Sequence, residues 1–131
     1  MERRTRIKPR KTGVIANLED NLTDLARKIV WKRDDSTCQK CFLSVHEGYG
    51  EVHHVIHKAQ GKALRWEKDN LVLLCRECHS WTEAHFKAAE EWFTWRFPDR
   101  WAKIEPRRHE VCKRREPELK AMVLEFEKEL E

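Results

Sequence analysis

Five cysteines and seven histidines are the residues of this chain best suited to chemistry, and most of them fall between Cys38 and His79. Cys38 and Cys41 form one Cys-x-x-Cys pair, and Cys75 and Cys78 form another. Zinc favours tetrahedral thiolate coordination, and each such turn presents two sulfurs converging on one point about 2.3 Å away. The intervening segment, Phe42 to Leu74, is long enough to fold as a hairpin between the pairs. The spacing therefore predicts a closed, structural Zn²⁺ site on Cys38, Cys41, Cys75 and Cys78. The alternative is a pair of independent redox or buried thiol couples. In a small fold such a metal would supply a large part of the folding free energy. Cys112 lacks a close partner and reads as a free thiol.

A second cluster of donors lies between and just after these pairs. His53 and His54 sit in the segment Val52-His53-His54-Val55-Ile56, and His79 follows Cys78 directly. Neutral imidazole is a good divalent-metal ligand, and its ordinary pKa also makes it a usable general base. The β-branched residues around the pair predict a short strand over residues 51–56. Adjacent strand residues face opposite ways, so both histidines reach one site only where the strand ends or bulges. Capping or core hydrogen bonding is the alternative for histidines beside a zinc knuckle.

These side chains need elements to hold them. Leu18, Leu22, Leu25 and Ile29 recur at helical spacing and predict an amphipathic helix ending near Lys32 or Arg33. Asp34-Asp35-Ser36-Thr37 then turns the chain into the first knuckle. Gly48 and Gly50 mark a loop before the strand. Residues 57–70 read as a polar loop around Gly61, with room for a second short strand. Leu71-Val72-Leu73-Leu74 is an apolar run that must be buried. From Ser80 to about Phe97 the pattern predicts one helix with two apolar stripes, central to the core or part of an interface, stopped by Pro98 and Asp99. Arg107, Arg108, Lys113, Arg114 and Arg115 form a basic cluster. Pro117 then opens a last helix carrying Leu119, Val123, Phe126 and Leu130 on one stripe. The implied organisation is a basic flexible arm over 1–16, a domain over 17–97, and a basic linker with a C-terminal amphipathic helix over 98–131.

At 131 residues the chain is about one domain long. Its mean hydropathy of -0.85 and 38% charge would fit disorder, but six Trp and five Phe argue for a packed core. There is no long apolar run and no secretory start, so the expectation is a soluble, cytoplasmic protein without membrane contact. Net charge is +4 and unevenly placed: Arg3, Arg4, Arg6, Lys8, Arg10 and Lys11 crowd the first eleven residues against Glu2 alone. Such an arm is either a solvated tail or an electrostatic footprint for phosphate backbones, with these six as candidate DNA-binding residues.

The run Cys38-x-x-Cys41, then Glu51-Val52-His53-His54-Val55-Ile56, then Gly61, then Asp69-Asn70-Leu71-Val72-Leu73-Leu74-Cys75-x-x-Cys78-His79, resembles an HNH endonuclease. The three letters fall on His54, Asn70 and His79. The resemblance covers roughly residues 25–85 and implies an α+β fold: a ββα-metal core stabilised by a four-cysteine zinc site, with flanking N- and C-terminal helices. It also implies metal-dependent cleavage of double-stranded DNA. His53 and His79 would hold a catalytic divalent ion such as Mg²⁺, Mn²⁺, Ni²⁺ or Zn²⁺, His54 would be the general base, and Asn70 would hold the loop that orients it. Gly61 is followed by Lys62, where the family often has a second glycine. Where some members carry another histidine, this chain has Glu83. It is either a third, harder ligand sharing a helical face with His79 or a carboxylate favoured by a helix N-terminus. A non-catalytic zinc-dependent DNA-binding module is the rival. Docking of a protein partner or a second copy through the Trp-rich and C-terminal helices is a further expectation. The chain is also similar to small HNH proteins of phage packaging; restriction or mobile-element settings fit equally.

Overall fold

The computed structural model describes residues 13–131; Arg3, Arg4, Arg6, Lys8, Arg10 and Lys11 lie outside the described residues. The leucine spacing forms helix α1, Gly13–Arg33, with Leu22, Leu25, Ala26 and Val30 buried. It begins ahead of the first leucine, so residues 13–16 are helical rather than part of an arm. Its end is pinned by more than a turn. Asp34 is 5% exposed and accepts the Leu73 N–H at 3.0 Å, while the Arg33 guanidinium donates to the carbonyls of Lys68 (2.7 Å) and Leu71 (2.6 Å). A charge-rich stretch that reads as a solvated turn thus joins α1 to the sheet.

Strand β1, Gly50–His54, pairs antiparallel with β2, Leu71–Cys75, setting His54 opposite Leu71 and Gly50 opposite Cys75. Every residue of β2 is buried. Gly50 is required by close approach: a Cβ there would come within 2.6 Å of the Trp31 ring. The connection between the strands holds no further strand; it winds through short 3₁₀ turns at Lys62–Leu64 and Lys68–Asn70. Gly61 is also a packing requirement, since a Cβ would lie 2.9 Å from Ile56 Cγ2 and 3.3 Å from the Arg108 carbonyl.

β2 runs directly into α2, Arg76–Ala84, completing a ββα unit. The single helix expected from Ser80 to Phe97 is two pieces, and the expected stop at Pro98 opens a further short helix. The chain breaks at His85 (φ -135, ψ 57) and again at Phe97, giving α2, α3 (Phe86–Arg96) and α4 (Pro98–Ile104). No local breaker sits at His85. The break lets α2 bury Thr82 while α3 turns Ala89 and Phe93 inward. The basic stretch read as a linker is partly helical, and Ile104 is fully buried. Helix α5, Glu116–Glu129, carries Pro117 in its first turn and packs along α1. Leu119, Val123 and Phe126 are buried there. The C-terminal stripe expected to dock a partner or a second copy is therefore used inside the chain. Of the aromatic residues on the broken helix, Phe93, Phe97 and Trp101 cluster, whereas Phe86 and Trp95 remain exposed. No helix is long and apolar enough to cross a membrane among the described residues.

Candidate metal centre and catalytic pocket

The first knuckle closes because Phe42 adopts a left-handed conformation (φ 64), bringing its N–H to the Cys38 carbonyl at 2.8 Å. The Gln39 N–H donates to the Leu73 carbonyl at 3.0 Å and ties this turn to β2. The second knuckle is the start of α2, where the Cys75 sulfur accepts the Cys78 N–H at 3.4 Å. The four sulfurs lie within 4.8 Å of one another. Cys41 and Cys75 Sγ are 3.7 Å apart. A tetrahedron with bonds of about 2.3 Å has edges of about 3.8 Å, which the Cys41–Cys75 separation matches, and the four thiols are close enough to hold one zinc. Burial raises the Cys38 thiol, but the backbone N–H groups of Cys41, Cys75 and Lys40 outweigh it and bring the pKa to about 7. Burial and the neighbouring thiols push Cys78 up. Metal binding must therefore displace protons.

On β1 the two histidines do face opposite ways. His53, 6% exposed, turns toward α2, with its ring centroid 5.4 Å from that of His79. His79 Nε2 is 3.4 Å from Glu83 Oε1, and donor atoms of His53, His79 and Glu83 all lie within 4.8 Å. Glu83 stands in the last turn of α2, which begins at Arg76, so a helix-start role for it does not hold. Burial first, then the charges of His79, His57 and His54, pull the His53 pKa down to about 3. That imidazole is neutral and has a lone pair to give. Two neutral-capable imidazoles and one carboxylate suit a divalent cation of borderline hardness.

Glu51 completes this cluster, although its residue type and spacing do not single it out. Its Oε2 contacts His79 Nδ1. A carboxylate on Nδ1 holds the proton there, leaving Nε2 with its lone pair toward Glu83. Strand alternation could have revealed it, because Glu51 lies two residues before His53 and so shares its face.

His54 projects into a separate cavity of about 250 Å³, lined in part by Glu51, Lys58, Arg65 and Trp66. Its Nε2 is 3.0 Å from the Arg65 carbonyl. A carbonyl only accepts, so Nε2 carries the hydrogen and Nδ1 keeps a free lone pair. Burial lowers the His54 pKa, with Lys58 and His57 adding to it and the Arg65 carbonyl opposing. Asn70, fully buried, fixes the loop that supplies this carbonyl. Its Oδ1 accepts the Ile56 N–H at 2.8 Å, and its Nδ2 donates to the carbonyls of Ile56 (2.9 Å) and Leu64 (3.2 Å). Leu64 immediately precedes Arg65.

The remaining histidines stand aside. His85 caps α2 and stacks near Trp81, and His46 packs on Tyr49. His57 lies 6.2 Å from His53, ring to ring, and His109 is exposed.

A ββα unit with four thiols clamped at one end and a His-His-carboxylate cluster across the sheet and helix defines a ββα-metal fold. Residues 38–83 match the family model described as HNH endonuclease. No curated protein and no solved structure matches the chain.

Proposed function

We propose that this protein is a metal-dependent endonuclease that hydrolyses phosphodiester bonds of double-stranded DNA. The observation that carries this is His54: its Nε2 is committed to the Arg65 carbonyl, which leaves Nδ1 free as a base on the residue next to His53, one of the three donors of the metal cluster. A zinc module that merely binds has no need of that arrangement. Cys38, Cys41, Cys75 and Cys78 would hold the structural zinc. His53, His79 and Glu83 would hold the divalent ion, with Glu51 orienting His79.

His54 Nδ1 removes a proton from water, whose oxygen attacks phosphorus in line with the 3′ oxygen. The P–O3′ bond breaks, leaving a 5′-phosphate and a 3′-hydroxyl. When bound, the divalent ion supplies electrostatic stabilisation of the phosphoryl and leaving oxygens. Asn70 acts on His54 through the 56–65 loop and is a positioning residue. Arg3, Arg4, Arg6, Lys8, Arg10 and Lys11 would add sequence-independent affinity for the backbone. The setting belongs to the same proposal: action inside the cell, where thiols stay reduced, in a phage-packaging, restriction or mobile-element system.

Plasmid nicking with Mg²⁺, Mn²⁺, Ni²⁺ or Zn²⁺ tests the proposal. The His54→Ala variant should lose at least about a hundredfold in rate, the usual size of a general-base contribution, while keeping its zinc. A folded, zinc-loaded wild type that binds DNA but cuts with none of these ions would make the protein a binding module instead. Equal cutting by His54→Ala would remove that histidine from the chemistry.

A further inference from the structure

The cavity around His54 does not end at His54. It shares Lys58, Arg65 and Trp66 with a neighbouring cavity of about 560 Å³, which adds Lys62 and Arg114. The two adjoin through these shared residues, and the smaller one carries His54 and Glu51, the latter in contact with His79. Five cations line them: Arg27, which lies over the Trp31 ring, and Lys58, Lys62, Arg65 and Arg114. The carboxylate facing them, Glu19, accepts from Arg65 at 2.8 Å.

The four cations other than Arg27 divide into two kinds. Arg65 and Arg114 are built into the wall: both guanidinium groups lie over the Trp66 ring, at 4.6 and 5.2 Å, and Arg114 donates to the Ala63 carbonyl at 2.9 Å. Trp66 is itself anchored, donating from Nε1 to Thr23 at 3.0 Å. Lys58 and Lys62 are exposed and enter no ion pair among the described residues. Yet they do not sit on a loose loop. Asn70 fixes the backbone on both sides of them, at Ile56 and Leu64, and Gly61 packs between Ile56 and the Arg108 carbonyl. Lysines on a loop whose backbone is already fixed keep their charge available for an anion, and placing them costs side-chain but little backbone freedom.

We propose that Lys58 and Lys62, backed by Arg65 and Arg114, form the track that holds substrate-strand phosphates adjacent to the scissile one. The track rests on the endonuclease proposal for its orientation, since the smaller cavity carries the base. It assigns DNA contact to the folded body of the protein, in addition to the basic residues before Gly13. The Lys62 that stands where the family often has a second glycine becomes a phosphate contact in this chain.

The test uses the full-length, zinc-loaded protein with Lys58→Gln and Lys62→Gln together. Lys87→Gln with Lys120→Gln serves as a control of equal net charge. Binding of a labelled duplex is followed against salt with His54→Ala present in all forms, and steady-state nicking is measured with His54 intact. The log–log salt slope should fall by about 1.8, about 0.9 for each phosphate no longer neutralised. KM should rise about tenfold or more near 0.1 M salt, with kcat within about twofold. The control pair should leave slope and KM unchanged. An unchanged slope in the Lys58/Lys62 variant, an equal shift in the control, or a fall in kcat with KM intact would overturn the track. A wild type that binds with the full slope but never cuts would refute the endonuclease proposal, and the slope difference would still decide the track.

Discussion

The contact between Glu51 and His79 sets the chemistry of a single ring. Imidazole has two nitrogens, and a cation needs the one without hydrogen. Held against Nδ1, the Glu51 carboxylate keeps the hydrogen on that side and leaves Nε2 with its lone pair free for a cation. Glutamine at position 51 preserves the shape but removes the charge and the enforced tautomer. The Glu51→Gln variant should bind a divalent ion at the His53, His79 and Glu83 cluster about 10–100-fold more weakly, with zinc content and melting temperature unchanged. Calorimetric titration of zinc-loaded protein with Mn²⁺ would read this, and an unaltered affinity would leave Glu51 a surface carboxylate. At this scale the sequence was informative for donors and poor for their partners. His53, His79 and the thiols are conspicuous by type and spacing. Arg65, whose carbonyl orients His54, acts through its backbone, so no side-chain pattern could mark it. Strand alternation correctly separated His53 from His54, and that separation gives one a ligand face and the other a pocket.

Between β2 and α2 the element itself is the clamp. Cys75 closes the strand, caps the helix by accepting from the Cys78 N–H, and lies 3.7 Å from Cys41 in sulfur-to-sulfur distance. Replacing its sulfur therefore strikes the strand end, the helix start and the four-thiol cluster together. Structural zinc contributes about 10–16 kcal/mol in small zinc-folded peptides, as much as the whole stability of an ordinary domain, about 5–15 kcal/mol. The Cys75→Ser variant should lose zinc and cooperative melting together, read by elemental analysis and circular dichroism. A full zinc equivalent with an unchanged melting curve would mean that the four thiols do not form one site. The ββα order was legible because the β-branched run, the apolar run and the Cys-x-x-Cys turns each carry a local signal. The helix break at His85 was not. Residues 80–97 have helical propensity throughout, and the kink is imposed by where Thr82, Ala89 and Phe93 must be buried. The helix starts at Arg76 rather than near Ser80, which puts Glu83 one turn beyond His79 at the helix's end and leaves only the first of its two expected roles, sharing a face with His79.

Across the whole molecule, the HNH segment is supported by helices that lie outside it in sequence. α1 packs on β2 and is covered in turn by α5, with Lys68 of the inter-strand loop reaching Glu129 at 2.8 Å and lying over the Phe126 ring. The stripe on α5 reads equally well, from sequence, as an outward docking face, because periodicity says that a face is apolar but not what covers it. Its burial against α1 makes the helix part of the core. Burying Leu119, Val123 and Phe126 is worth about 1.5–3 kcal/mol apiece, an upper estimate given a compact unfolded chain. That is comparable with the total stability of a domain, about 5–15 kcal/mol. A chain ending before Glu116 should therefore expose the inward face of α1. Even with zinc present, it should bind a hydrophobic dye and lose its sharp thermal transition. Restoring α5 as a separate peptide should recover both, since the covering face is complete within residues 116–131. If the shortened chain instead melted cooperatively at an unchanged temperature, α5 would be an appendage free to engage a partner, and the ββα core with α1 would be self-sufficient without it.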